Sequence, residues 1–290
     1  MNLMKLHNEL ELYNGVNWLI KYNIIKNERN CPKYKKIMHL SIHRSSYRCY
    51  NKKCKKEISI RKNTIFSKSK LKIEKIILLL YCFVNKYSTE TINKELMISR
   101  TTIAKFKRLY RNVLKEIIMN KKNRMIGGYK HIVQIDEMYV GHRKYGKGRS
   151  AAKDSQCWFV GGIDTKTKEI FYKKVDNRNK RTLHNVIWRY VKIGSIIYTD
   201  SWGGYNDIEE YFKHCTINHS KEFVNGNIHT QNIEATHSAV RRILRMNGSN
   251  SGSKELQFNE YVWRKSIKEE KICSKILSRI YPIYIPNIKN

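Results

Sequence analysis

The sequence predicts a mixed α/β fold in which a helical segment precedes a strand-rich one. Three observations carry that expectation. Residues 71–118 keep a helical period through LKIEKIILLLYCFVNKY, STETINKELMI and SRTTIAKFKRLYRNVLKEII. After Gly127 and Gly128 the period changes to that of strands, in HIVQIDEMYVG (131–141), QCWFVGGIDT (156–165) and EIFYKKV (169–175). The remainder then alternates: a helix over 180–191, the strand IIYTD (196–200), a helix over 205–212, a short strand HCTINHS (214–220), and a helix beginning near Asn232. Three strands, then helix, strand, helix, strand, helix, is the order of a ribonuclease-H-like fold.

In chain order, NGVNWLIKYNIIKN (14–27) has an apolar stripe suited to a short helix, and a basic, cysteine-bearing segment runs from Cys31 to about Phe66. In the helical segment, Ser88 and Ser99 sit where N-caps belong, and Glu90 and Thr91 follow in a first turn. The last of these helices carries Arg100, Lys105, Lys107, Arg108 and Arg111. Three helices joined by short turns suit a helix-turn-helix whose final helix enters a DNA major groove. A plain three-helix packing unit with a solvated basic face fits the same pattern. Asp164, Thr165 and Lys166 mark a hairpin turn between the second and third strands. The expected divisions are 1–66 (helix and ribbon-like segment), 67–125 (helix-turn-helix), 128–265 (ribonuclease-H-like domain) and 266–290 (basic tail).

Charge narrows the partners. The 58 Lys+Arg against 24 Asp+Glu give a formal net charge of +34, which opposes compaction unless a polyanion neutralises it. Codon bias in an AT-rich genome raises Lys, Asn and Ile together but leaves the scarcity of acids unexplained, so nucleic acid is the expected partner. No apolar run approaches the ~20 residues of a membrane helix; IILLLYCFV (76–84) reads as a core helix instead. Seven cysteines, an odd number, without an export signal argue against a disulfide framework and for free or metal-bound thiols. The expected location is the nucleus in a eukaryote, otherwise the cytoplasm or nucleoid.

The candidate chemistry lies in carboxylates. Asp136 falls in the middle of the first strand, among Val133, Ile135 and Val140, where an acid is costly without a cation. Asp200 ends the strand that such folds place beside the first, and Ser201-Trp202-Gly203-Gly204-Tyr205 turns the chain immediately after it. Glu234 lies near the start of the last helix. Converging hard oxygen ligands suit two Mg²⁺ or Mn²⁺ ions, which can activate an attacking oxygen and stabilise a leaving one in phosphodiester displacement. Each acid also has a plainer reading: Glu137 replaces Asp136 if the strand register differs by one, Asp200 N-caps a helix, and Glu234 is a first-turn acid favoured by the helix dipole.

The ordered motifs VQIDEMYVG, WFVGGID, IIYTDSWGGY, NHSKEFV, HTQNIEATHSAVRRIL and LQFNEYVWR, over about residues 130–265, resemble the transposases of the Merlin superfamily and the related bacterial insertion-sequence transposases with an ISXO-type domain. The resemblance implies a DDE transposase with Asp136, Asp200 and Glu234 as its triad and Mg²⁺ as cofactor. It implies cut-and-paste movement of DNA with terminal inverted repeats, by a homodimer or higher assembly that joins two ends to target DNA. Relatives often carry a basic residue seven positions after the third acid; Arg241 occupies it, two helical turns on, where it could meet a phosphate. They usually carry Trp three residues after that acid, where this chain has His237, a residue left to contact DNA or to pack. Trp202 and Tyr205 are candidates for stacking on bases or for packing.

Relatives also typically carry a zinc ribbon with two Cys-x-x-Cys-like knuckles. Here CPKYKKIMHLSIHRSSYRCYNKKC keeps Cys31 but has Tyr34 at the expected second cysteine, while Cys49 and Cys54 supply the other knuckle. His43 or His39 could complete a structural Zn²⁺ site; a basic ribbon without metal is the alternative. The competing functions are a catalytically silent, transposase-derived DNA-binding protein and a structure-specific nuclease of the same fold.

Overall fold

The computed structural model describes residues 2–64, 66–120, 125–140, 157–217, 230–246 and 254–266. The described residues form two compact units that divide between Val113 and Leu114.

The first unit opens with α1 (Leu3–Lys21), capped by the Asn2 side chain, which accepts the Lys5 N–H. The expected helix over 14–27 is displaced. Asn14 takes a φ of 51° and breaks α1, its side chain accepts the Asn17 N–H at 3.0 Å, and the helix ends at Lys21. Four short strands follow as an antiparallel meander: β1 (Glu28–Asn30), β2 (Ile37–Ser41), β3 (Ser46–Cys49) and β4 (Glu57–Ser59). The β2–β3 register runs from Met38 opposite Cys49 to Ser41 opposite Ser46, so Cys49 lies at one end of this hairpin and the 42–45 turn at the other.

Three helices complete the unit: α2 (Ile73–Val84), α3 (Thr89–Leu96) and α4 (Arg100–Asn120), the last running on into the second unit. Apolar after Glu74 and Lys75 in its first turn, α2 is almost wholly buried, as a core helix should be. The Ser88 side chain accepts the Thr91 N–H at 2.9 Å and Ser99 accepts the Thr102 N–H at 3.3 Å, so both expected caps are made. Between α3 and α4 the chain turns in three residues, with Met97 in the left-handed region at φ 52°. No helix among the described residues is long and apolar enough to cross a membrane.

The second unit is built on a five-stranded mixed sheet: β5 (Ile132–Val140), β6 (Cys157–Asp164), β7 (Ile170–Val175), β8 (Ile196–Asp200) and β9 (Lys213–Ile217). Its order is β7-β6-β5-β8-β9, with β6 antiparallel to both neighbours and β8 and β9 parallel to β5. That order and polarity define the ribonuclease-H-like topology, with β5 central. The hairpin between β6 and β7 closes on Asp164, whose side chain accepts the N–H groups of Lys166 and Thr167. On one face Val133, Ile135, Phe171 and Ile197 pack with Leu183 and Ile187 of α5 (Lys180–Tyr190). On the other, Met138, Phe159 and Tyr172 pack with Ile233 and Val240 of α6 (Gln231–Met246) and Phe258 of α7 (Lys254–Ser266).

One expectation changes here. The segment 205–212 is not one helix but two 3₁₀ turns, Gly203–Tyr205 and Ile208–Glu210, because Asp207 adopts a left-handed φ of 65° between them. Its buried Tyr205, Ile208 and Phe212 imitate a helical stripe without requiring a helix. A further helix, α7, closes the unit.

Gly162 on β6 lies opposite Ile135 and Phe171, and a Cβ there would come within 2.7 Å of Phe171 Cζ. The Phe171 ring is buried and stacks on Tyr190 at 4.9 Å, so it has little room to yield. Gly162→Ala is expected to lower stability by about 1–3 kcal/mol, the usual cost of overpacking, as read from the urea midpoint.

Candidate active site and thiol cluster

The central strand sets the geometry. Gln134 and Met138 point toward α6 and α7: Gln134 Oε1 accepts the Ile233 N–H at 3.2 Å, and Met138 packs beside Ile233. By alternation Asp136 faces the same way. The parallel register of β5 with β8 pairs Ile132 with Ile196 and Gln134 with Tyr198; continued two residues past that ladder, the same register aligns Asp136 with Asp200. Ile197 belongs to the opposite core, so Asp200 shares the Asp136 face, on strands ~4.8 Å apart.

Each aspartate is oriented by neighbours. Asp136 Oδ1 accepts the Glu137 N–H at 2.7 Å, and Asp136 Oδ2 lies 3.3 Å from His237 Nδ1. Asp200 Oδ1 accepts the Trp202 N–H at 3.2 Å. Glu234 is exposed in the first turn of α6, where the Thr230 hydroxyl donates to its Oε1 at 3.0 Å. The bond from Ile233 to Gln134 ties that turn to β5 two residues from Asp136. Arg241 is exposed on the same helix.

These donors are hard oxygens, two on adjacent strands and one on a helix anchored to them, a set that suits Mg²⁺ or Mn²⁺. Their oxygens do not gather as closely as the thiols do. Among the described residues, Cys31, Cys49 and Cys54 form the only group whose ligand atoms all lie within 4.8 Å of one another.

His237 and Tyr205 are both buried. His237 is 3% exposed, packed against Tyr172 and over Gly161, where a Cβ would meet its Nε2 at 2.9 Å. Gly161 pairs directly with Asp136, so the missing side chain makes room for the imidazole against the carboxylate. Tyr205 is 1% exposed in the core on the α5 side, which rules out base stacking. Trp202 remains 42% exposed. Glu137 points away from Asp136, toward Tyr205. Burial, reinforced by Asp200 and Asp136, raises its carboxyl to about 7 against the opposing effects of the Tyr205 hydroxyl and Arg178.

The basic residues of α4 divide similarly. Lys105 and Arg108 are exposed on one face with Thr101 and Asn112, and Arg100, also exposed, pairs with Glu90. Lys107 instead donates to the Tyr87 carbonyl and the Thr89 hydroxyl, and Arg111 is buried. Neither belongs to the exposed basic face.

In the first unit the two knuckles have matching backbones. The Cys31 N–H donates to the Lys36 carbonyl and the Cys49 N–H to the Lys56 carbonyl, and Lys35 and Lys55 turn each loop at φ 55° and 47°. Tyr34 and Cys54 both precede the turning lysine, so Tyr34 stands where the second knuckle has its cysteine. The Tyr34 N–H, with that of Lys33, holds the Cys31 thiol down to about 7 against burial, which favours the thiolate a metal requires. His43 does not complete this group: it is exposed in the 42–45 turn, at the far end of the β2–β3 hairpin from Cys49. His39 is exposed and pairs with Glu28 at 3.1 Å.

Residues 126–265 match the ISXO2-like transposase domain. An uncharacterised transposase-like protein of Haemophilus influenzae is 31% identical over 115 residues, 39% of this chain and 93% of the relative. The chain belongs to the ISXO2-like transposase family. Solved structures similar to it include the catalytic core domain of HTLV-2 integrase in complex with magnesium, in its trimeric form, at 13% identity over 49% of this chain and 86% of that one, with a TM-score of 0.32. A simian T-cell lymphotropic virus intasome in complex with the PP2A regulatory subunit B56 gamma aligns at 12% identity over 69% of this chain and 73% of that one, with a TM-score of 0.34. The span matched to the transposase domain holds β5 to α7 and all three carboxylates, whereas the thiol cluster precedes it.

Two outcomes are expected. Zinc added to the reduced protein should bind in competition with a chromophoric chelator, bind less tightly to Cys49→Ser, and bind unchanged to His43→Ala. Glu137 contributes a pH dependence of definite sign. Below its ordinary value of 4.5 both folded and unfolded states are protonated; as pH rises toward about 7 only the unfolded state ionises, and stability falls across that window. In urea titrations with EDTA, Glu137→Gln should therefore gain relative to wild type by at most about 3 kcal/mol as pH rises through this window.

Proposed function

We propose that this family member is a DDE transposase whose reaction centre is Asp136, Asp200 and Glu234. The observation that carries the reading is the β5–β8 register, which, continued two residues past the Gln134–Tyr198 pair, aligns Asp136 with Asp200 on the face where α6 begins. These carboxylates would hold a pair of Mg²⁺ or Mn²⁺ ions, which when bound would activate the attacking oxygen and stabilise the leaving oxygen in phosphodiester chemistry.

The chain's own residues prepare that centre. The Glu137 N–H and the His237 imidazole fix the two oxygens of Asp136, and the Trp202 N–H fixes Asp200. Gln134 holds the start of α6 so that Glu234 stays beside the sheet, and Arg241 is placed two turns along to meet a phosphate. The exposed face of α4, with Lys105 and Arg108, enters the major groove of the terminal inverted repeats. Cys31, Cys49 and Cys54 would hold a structural zinc through three thiolates, bracing the β-meander. Cleavage at an element end frees a 3′-hydroxyl that then attacks target DNA, and pairing two ends calls for a dimer or larger assembly.

DNA carrying the repeats that flank the gene is expected to be nicked and joined in Mg²⁺ by the wild type and left uncut by Asp200→Asn. If both proteins shift this DNA in a gel and neither cuts it, the chain is a silent, transposase-derived DNA-binding protein. The role of His237 is separable. His237→Leu is expected to weaken metal-dependent activity about 10- to 100-fold, as loss of a group orienting a metal ligand does. His237→Asn, which keeps a donor near the Nδ1 position, should restore most of it, as read from the Mn²⁺ dependence of cutting.

A further inference from the structure

Arg178, in the loop between β7 and α5, belongs to none of the groups above. Its guanidinium carbon lies 4.0 Å from the Trp202 ring centroid and 4.6 Å from that of Trp158. Its carbonyl accepts the Trp202 indole N–H at 3.4 Å, and the Trp202 backbone N–H donates to Asp200 Oδ1. The next residue, Asn179, caps α5 by accepting the Thr182 N–H at 2.9 Å, which fixes the end of the loop. Arg178 is therefore tied through one tryptophan to the turn that carries Asp200.

Among the described residues no carboxylate forms an ion pair with this guanidinium. Glu137 feels its charge without bonding to it. Cation–π contact with the two indoles takes up none of the guanidinium N–H groups in hydrogen bonds to oxygen, which leaves the fork that matches two phosphate oxygens. An arginine so held loses little side-chain freedom when it meets an anion.

We propose that Arg178 grips a backbone phosphate of the DNA strand beside the carboxylate centre, with Trp202 holding its plane. This rests on the reading of Asp136 and Asp200 as the reaction centre. The contact positions the strand and carries no base information. Trp202 thus acts through Arg178 rather than as a base-stacking platform.

The test uses the full chain and a series of duplexes ending in the flanking repeat, each with a different single phosphate neutralised as a methylphosphonate. Binding is followed by fluorescence anisotropy in EDTA, so that no cutting intervenes. Arg178→Ala should weaken binding of the unmodified duplex about tenfold, the scale of a charge-assisted contact. At one phosphate near the repeat end, neutralisation should cost the wild type a similar factor and cost Arg178→Ala nothing more. The slope of log affinity against log salt should flatten by about one in the alanine variant. Arg178→Lys should keep that slope while binding less tightly, and Trp202→Phe should bind better than Trp202→Ala. Losses that multiply independently at every phosphate, or an Arg178→Ala protein that binds as the wild type does, would overturn the proposal. A wild type that shows the coupled phosphate but cuts no DNA in Mg²⁺ would leave the grip standing and remove the catalytic reading instead.

Discussion

The parallel pairing of β5 with β8 is the constraint on which the candidate site depends. Side chains alternate along a strand, so a one-residue slip would turn Asp200 into the α5 core and leave Asp136 without its neighbour. The register is held by burial on both faces: Val133, Ile135 and Ile197 enter one core, and Gln134 reaches out of the sheet to bind α6. The hydrogen bond from Ile233 to Gln134 extends the same constraint to Glu234. Three residues 64 and 34 positions apart in sequence are thereby referred to one strand.

The sheet was largely legible in the sequence because its strands are short, apolar-rich segments separated by identifiable turns. Asp164 could be placed at a hairpin because its side chain organises the turn that follows, and Ser88 and Ser99 could be placed at helix starts for the same kind of local reason. Where local rules mislead, a nonlocal preference has won. Tyr205, Ile208 and Phe212 are spaced as a helix but serve one core from two separate turns. Asn14 interrupts α1, and the backbone N–H of the following Gly15 is taken by Glu74 of α2 at 2.6 Å, a partner 59 residues away.

Side-chain roles were less legible than the elements that bear them. The strand period places Asp136 and Glu137 on opposite faces but does not say which face holds Asp200; the partners of Gln134 and Ile197 decide that. His237 could not be assigned from its position in α6, since its burial depends on the absence of a side chain at Gly161 on another strand. The same holds for His43, whose place between the cysteines leaves it eligible as a ligand, whereas the β2–β3 register puts it at the far end of the hairpin from Cys49. For Arg178 the sequence offers only a basic loop, NRNKR, and the indoles that hold it come from β6 and from the turn after β8.

The most direct measurement of the central claim is anomalous diffraction from Mn²⁺-soaked crystals of the wild-type chain. The expected result is manganese bound between Asp136 and Asp200 on the side of the sheet covered by α6, with Glu234 drawn toward it. Manganese ligated by Glu137 on the α5 side, or an absence of manganese from the aspartates at saturating concentration, would contradict the assignment of that pair as the reaction centre.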